Sequence, residues 1–283
     1  MKFSYYPGCT LKGSAQELDE SFRSVCNSLG VTLTEIPDWT CCGASSAHMV
    51  DAFLEAALPA RDLLTAERMG NDVVAPCAGC HVRMKAASKK IQEDKSLKDR
   101  FPLKGTIKIM SGMDMLDLTE LRLRLKERVE KPLEGLRVVP YYGCLAVRPV
   151  DVVEPEDPEN PRQMDRILQL LGVEIVNWPY KTDCCGGSLA LTRTDLVLKL
   201  SGKLLDMAMA LKADAIVTLC PMCQANLDTR QADLSKQTGK VYRVPIIFLT
   251  ELMGLALKDQ RAASWFDKHM VSPKEVLASK GLL

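Results

Sequence analysis

The sequence predicts an α/β protein made of two tandem, pseudo-symmetric halves, each a mostly parallel sheet flanked by helices. Three observations carry that expectation. Short β-branched runs alternate with helix-length amphipathic stretches, as βαβ units require. The alternation occurs twice within 283 residues, enough chain for two ordinary domains. A cysteine pair followed by glycine, "DWTCCGASS", returns as "KTDCCGGSL" with its surroundings in register. The division is expected between residues 135 and 136, giving units 1–135 and 136–283.

Element by element the halves read alike. Apolar runs over 3–6 and 138–142 each end near a cysteine. Helices are expected over about 16–29 and 164–171, closed by Gly30 and Gly172. Second apolar runs, 31–36 and 173–178, lead into the cysteine pairs. Long helices follow over about 45–69, with a kink or break at Pro59, and over about 189–212. "DVVAP" and "AIVTL" are strands feeding a C-x-x-C. A further helix and then "TIKIM" or "VPIIF" complete each Rossmann-like unit. The Pro-rich acidic stretch "DVVEPEDPENPRQ" is a solvated insertion by composition.

Composition narrows the function. Charged residues make up 26% of the chain and the net charge is +1, so no electrostatic footprint for nucleic acid is present. No stretch approaches the roughly 18–20 apolar residues of a membrane span. "MKFSYYPGCT" lacks an apolar secretory core. The expectation is a cytoplasmic protein, and there eleven cysteines point to metal or redox chemistry rather than structural disulfides.

Ten of the eleven cysteines fall into two sets of five. Cys9 precedes the Cys41–Cys42 pair by 31 residues, and 34 residues separate Cys42 from the C-x-x-C of Cys77 and Cys80. Cys144 precedes Cys184–Cys185 by 39, and again 34 separate Cys185 from Cys220 and Cys223. Cys26, on the apolar face of its helix, reads as a buried structural thiol. Each first cysteine, pair and C-x-x-C lies just beyond the C-terminal end of a strand, the edge where α/β sheets bind ligands. Gly8, Gly43, Gly79, Gly143, Gly186 and Gly187 suit loops that pass close to a bulky group. Structural zinc needs four ligands, commonly from two short knuckles, and fits five thiols with one C-x-x-C poorly. A thioredoxin-like dithiol leaves the pair unused. Iron–sulfur ligation fits better, although five thiolates exceed the four of an ordinary cubane.

The whole pattern, with "YYPGCTLKGSA", "APCAGC", "PYYGCLAVRP" and "VTLCPMCQANLD", resembles the tandem CCG cysteine-rich domains of the heterodisulfide reductase B-subunit family. That resemblance implies two non-cubane 4Fe–4S clusters. Cys9, Cys41, Cys42, Cys77 and Cys80 would hold one, and Cys144, Cys184, Cys185, Cys220 and Cys223 the other. It further implies an enzyme component that reduces a small disulfide, the coenzyme M–coenzyme B heterodisulfide of methanogenesis or an analogue, to two thiols by single-electron steps. Related readings are a component of a heterodisulfide-reductase-like complex of sulfur oxidation and a non-catalytic electron-transfer component. The partners implied are a ferredoxin-like iron–sulfur chain and a flavin-bearing chain of the same complex, since this sequence shows no flavin or nucleotide motif. Near the cysteines, Lys12, Arg83, Arg148 and Lys181 are candidate anchors for an anionic substrate, and His48 and His81 candidate proton relays. His48, His81 and Arg148 are the catalytic expectations. The tail, with Trp265, Phe266 and Met270, is expected to pack on its own core, and "SPKE" to open a last helix with proline at its first position.

Overall fold

The computed structural model describes residues 1–44 and 47–283, the side chain of His48 excepted. The first half runs β1 (Lys2–Tyr5), α1 (Gly8–Lys12), α2 (Gln16–Ser28), β2 (Thr32–Glu35), α3 (Ala47–Val50), α4 (Ala52–Met69), β3 (Val73–Ala75), α5 (Ala78–Glu93), α6 (Lys95–Arg100), β4 (Ile109–Ser111), α7 (Gly112–Leu116) and α8 (Thr119–Arg128). The second runs β5 (Arg137–Pro140), α9 (Val150–Val153), α10 (Gln163–Leu170), β6 (Glu174–Ile175), α11 (Thr194–Ala210), β7 (Ala215–Thr218), α12 (Pro221–Thr229), α13 (Gln231–Thr238), β8 (Ile246–Phe248) and α14 (Leu249–Ala256). Two short helices, α15 (Ala262–Trp265) and α16 (Lys274–Ser279), end the chain.

Both sheets have four strands, in the orders β2-β1-β3-β4 and β6-β5-β7-β8. Every pairing is parallel. The central β3 and β7 are buried throughout, which is why they read as unbroken β-branched runs. In this order the crossover sense reverses between β1 and β3, and between β5 and β7, so each sheet opens a crevice at those strand ends.

Local chemistry moves some expected boundaries. The break expected at Pro59 falls instead at Asp51, whose carboxylate accepts the N–H groups of Phe53 and Leu54 and starts α4. The helix runs on through Pro59, whose ring is buried. The expected start at Ser45 lies outside the described residues. Residues 187–189 form a 3₁₀ turn, so α11 starts only at Thr194. The strand expected over 173–178 keeps two residues, because Trp178 turns inward and donates to the carbonyl of Pro140. The acidic insertion begins with the helical turn α9 and is otherwise an irregular loop, bent where Asp157 accepts the N–H groups of Glu159 and Asn160. At the tail, Pro273 caps α16 rather than opening it, and the Ser272 hydroxyl accepts the Lys274 N–H.

The core ignores the expected division. One cluster of buried side chains draws on both sheets, from Phe3 and Phe22 to Phe248, Trp265 and Leu277. Its logic is reciprocal: α14, after the last strand of the second half, packs on α2 of the first. In turn α7 and α8, after the last strand of the first half, receive α10 of the second. Buried hydroxyls of Ser21 and Thr250 meet at 2.7 Å across the first of these seams. Across the other, Arg166 Nε approaches both carboxylate oxygens of Asp117 at 3.0 and 3.1 Å. The Asp117 side chain is only 11% exposed there, so Arg166→Ala should cost about 1–2 kcal/mol after allowance for screening. Chemical denaturation of the variant checks this; an unchanged midpoint would make the pair ornamental.

Candidate functional site

The strand order decides where the cysteines go. Cys9 follows β1 and sits on α1, while Cys77 and Cys80 follow β3, so they flank the first crevice. Cys41 and Cys42 arrive after β2. The second half repeats this with Cys144 after β5, Cys184 and Cys185 after β6, and Cys220 and Cys223 after β7.

The two sets are near copies. Cys42 Sγ lies 3.4 Å from Cys80 Sγ, and Cys185 Sγ lies 3.5 Å from Cys223 Sγ. The Gly43 N–H approaches Cys41 Sγ at 3.4 Å, and the Gly186 N–H approaches Cys184 Sγ at 3.3 Å. In each pair the first cysteine is exposed and the second buried. Contacts link Cys9 to Cys41 and Cys77 to Cys80, and likewise Cys144 to Cys184 and Cys220 to Cys223. All the cysteines are free thiols, and Cys26 is buried on α2 away from both sets.

Thiol–thiol hydrogen bonds split the acidities. The Cys80 thiol draws Cys42 down to about 7, and the Cys144 thiol draws Cys184 to about 6. Each set therefore carries a thiol biased toward the thiolate, the form that ligates metal.

Two glycines hold open the space for these sulfurs. A Cβ on Gly8 would stand 2.8 Å from Cys80 Sγ, and one on Gly143 would stand 2.8 Å from Cys223 Sγ. Both residues have φ near +70°, where only glycine is unstrained. Behind them lie two tyrosines that sequence reasoning did not single out. The Tyr6 hydroxyl donates to the carbonyl of Thr40 at 2.5 Å and the Tyr141 hydroxyl to that of Asp183 at 2.7 Å. Those carbonyls immediately precede Cys41 and Cys184, so each buried tyrosine pins the turn that presents a cysteine pair. Their equivalent places in "YYPGC" and "PYYGC" were the available signal.

The five cysteines of the second set, Cys144, Cys184, Cys185, Cys220 and Cys223, line a single cavity of about 200 Å³. Its far wall belongs to the first half: Ala44, Ala78, Gly79 and Arg83. Gly79 lies between Cys77 and Cys80 in sequence, and its Cβ position is 3.8 Å from both Cys77 Sγ and Leu145 Cδ1. The two sulfur sets are thus neighbours across a thin wall. Among the described residues no three His, Cys, Asp or Glu side chains are drawn in around one point to grip a lone ion. Five sulfurs spread over the wall of a cavity suit a group several atoms across, and the side-chain-free glycines leave room for it.

The other expected residues divide. Arg83 reaches the cavity wall, with Nη1 3.3 Å from Glu55. Lys12 is paired to Asp19 and Glu35, and Arg148 to Glu159 of the acidic insertion. Lys181 is buried against Asp165 at 2.6 Å, so it braces the fold. His81 is 2% exposed, and burial holds its ring down at about 4, hence neutral. It lines a void of about 30 Å³ that also touches Cys220. His48 lies on α3, and its side chain is outside the described residues. A larger surface groove, about 880 Å³, runs past Tyr242, Arg243 and Met270 with no cysteine in its wall.

Among the described residues no helix is long and apolar enough to cross a membrane. Comparison with known proteins agrees with the repeat. The cysteine-rich domain named CCG matches residues 3–85 and 138–228. The chain is 33% identical over 263 residues to the membrane anchor of the 8-methylmenaquinol:fumarate reductase of Wolinella succinogenes, covering 90% of this chain and 92% of that one. It is 26% identical over 268 residues to the B component of the ferredoxin:CoB-CoM heterodisulfide reductase of Methanosarcina mazei, covering 90% and 89%. A crystal structure of a hypothetical protein from Helicobacter pylori shares the fold, with TM-score 0.75 at 11% identity over 96% of this chain, which spans 52% of that longer one. The chain belongs to the CCG cysteine-rich domain family, of which it carries two tandem copies, and it is similar over most of its length to B components of heterodisulfide reductases.

Proposed function

We propose that this chain is the iron–sulfur redox component of an oxidoreductase complex and that it reduces a small disulfide to two thiols where its halves meet, beside the cavity that would hold one of its centres. One observation supports this above the rest: the cavity is walled by five sulfurs of the second half and closed by residues that flank the sulfurs of the first. Two 4Fe–4S centres, one per set of five cysteines, would each supply a single electron, and disulfide reduction consumes two electrons and two protons.

The chain's own residues bind and shield. Leu145 and Met222 give the cavity apolar walls that exclude water from the reacting sulfurs. Arg83 offers the cation for an acidic substrate end. Tyr142 also lines the cavity, but its hydroxyl donates to Asp165 at 2.6 Å. Burial and that carboxylate push its acidity well below that of a free phenol, so it orients rather than protonates. Partner chains would deliver the electrons, a ferredoxin-like one and a flavin-bearing one on the expectation drawn from the family.

The test begins with iron and acid-labile sulfide in anaerobically purified protein; about two zinc and no iron per chain would end the reading. Thiols and disulfides are then added to the oxidised protein while its EPR signals are followed. A changed signal is expected. Arg83→Met should raise KM for an anionic disulfide about tenfold with kcat nearly kept.

A second reading has its own support. The relative from Wolinella succinogenes is named for a quinol reaction. The cavity walls here are rich in apolar side chains, and Leu191, three residues on from the lining Ser188, is 98% exposed. On that reading the chain carries electrons from a quinol and meets no disulfide. EPR signals that respond to a quinol and to no thiol would select it.

A further inference from the structure

Each half places an acidic residue third in the helix after its last strand: Asp114 on α7 and Glu251 on α14. In the first half an imidazole sits in the field of that carboxylate. It is His81, the residue after Cys80, with its ring turned to the backbone of Ile109. The residue after Cys223 is Gln224, so α12 brings no imidazole of its own.

The C-terminal segment brings one instead. His269 Nε2 lies 2.9 Å from Glu251 Oε1, and both side chains are fully buried. Its Nδ1 lies 3.4 Å from Gln224 Nε2. Gln224 Nε2 also donates to Asp228 Oδ2 at 3.2 Å, one turn along α12. Asp228 in turn accepts the backbone N–H groups of Met270 at 2.7 Å and Val271 at 3.0 Å. The segment therefore grips α12 at His269 and at the two residues that follow it. With the ring neutral, the Gln224 amide gives one N–H to Asp228 and one to Nδ1, leaving the Nε2 proton of the ring for Glu251.

We propose that His269 is a positioning residue for the second cysteine set, an imidazole lent by the C-terminal segment that holds α12 through Gln224. The physical reason is rotational. Cys220 caps α12 and Cys223 stands in its first turn, so a small roll of this helix moves both sulfurs relative to Cys185. A glutamine side chain has three free torsions, and among the described residues two amide contacts, to Asp228 and His269, hold it. The inference rests on the reading of the cysteines as iron ligands, and the experiment separates the two.

Four proteins are purified without oxygen: wild type, Gln224→Ala, His269→Ala and the double variant His269→Ala with Gln224→His. Iron content, the EPR signal of each centre and thermal stability are read. Gln224→Ala keeps the His269–Glu251 pair and the tail contacts of Asp228, so it tests the link even where His269→Ala fails to fold. Gln224→Ala and His269→Ala should each lose about half the iron and one centre's signal, with the other signal kept. The double variant, which restores an imidazole to the helix, should recover iron without recovering the lost thermal stability. Full iron in Gln224→Ala, or recovery of stability and iron strictly together, overturns the proposal. Should wild type hold no iron, the iron reading fails by itself. Alkylation of Cys220 and Cys223, each 6% exposed, then decides: several-fold faster labelling in Gln224→Ala supports the positioning role, and an unchanged rate overturns it.

Discussion

Cys41→Ala should remove one iron centre and leave its twin. Cys41 is the exposed member of the first pair, in contact with Cys9 and held by the N–H of Gly43. Alanine there takes away a sulfur without disturbing the core, since Cys42 beside it keeps its buried contact with Cys80. The second set has its own helix, glycines and tyrosine and depends on none of these atoms. On the proposed reading, iron falls by about half, one EPR signal is lost, and disulfide reduction drops by several orders of magnitude because one of two electrons has no route. Iron counting, EPR and turnover on one anaerobic preparation measure all three. Two undisturbed signals would remove Cys41 from the site.

Gly143→Ala should be nearly as severe for the other centre, for a steric reason. The added Cβ would stand 2.8 Å from Cys223 Sγ, a distance no relaxed contact allows. The backbone there, φ +72° and ψ +169°, is one that essentially only glycine adopts, and it adds about 1–3 kcal/mol by itself. Gly135→Ala is the control for a positive-φ glycine without a steric contact, because Gly135 has φ +79° and nothing within 4 Å of its Cβ position. Both variants should lose stability, measured by denaturation. Only Gly143→Ala should also lose the iron of the second half. Equal iron in the two would mean that Cys223 can step aside, and that the glycine serves the turn rather than the sulfur.

The same contrast explains what reading residues could reach. The 34-residue interval from pair to C-x-x-C is identical in both halves, and each time it carries a long helix and a buried strand, so the repeat was legible before any coordinates. The helix break was misread at Pro59 because proline is a visible signal, while the capping carboxylate of Asp51 competes with it only through geometry. Among the basic residues near cysteines, proximity in sequence said nothing about direction. Arg83 reaches the cavity, whereas Lys181 turns to Asp165 and Arg148 to Glu159. His269 went unnoticed for a related reason: its partner Gln224 lies 45 residues away, and no local pattern links them.

The alternation of strands and helices, the two fivefold cysteine sets and the glycines beside them follow from the chain alone, since period, spacing and turn chemistry are local properties. How the halves sit together does not. The exchange of α14 onto α2 and α10 onto α7, the thin wall at Gly79 and the tail folded back upon α12 are set by burial of apolar faces that any compatible surface would satisfy. Only the packed molecule selects which one, because the hydrophobic effect rewards area removed from water and carries no address.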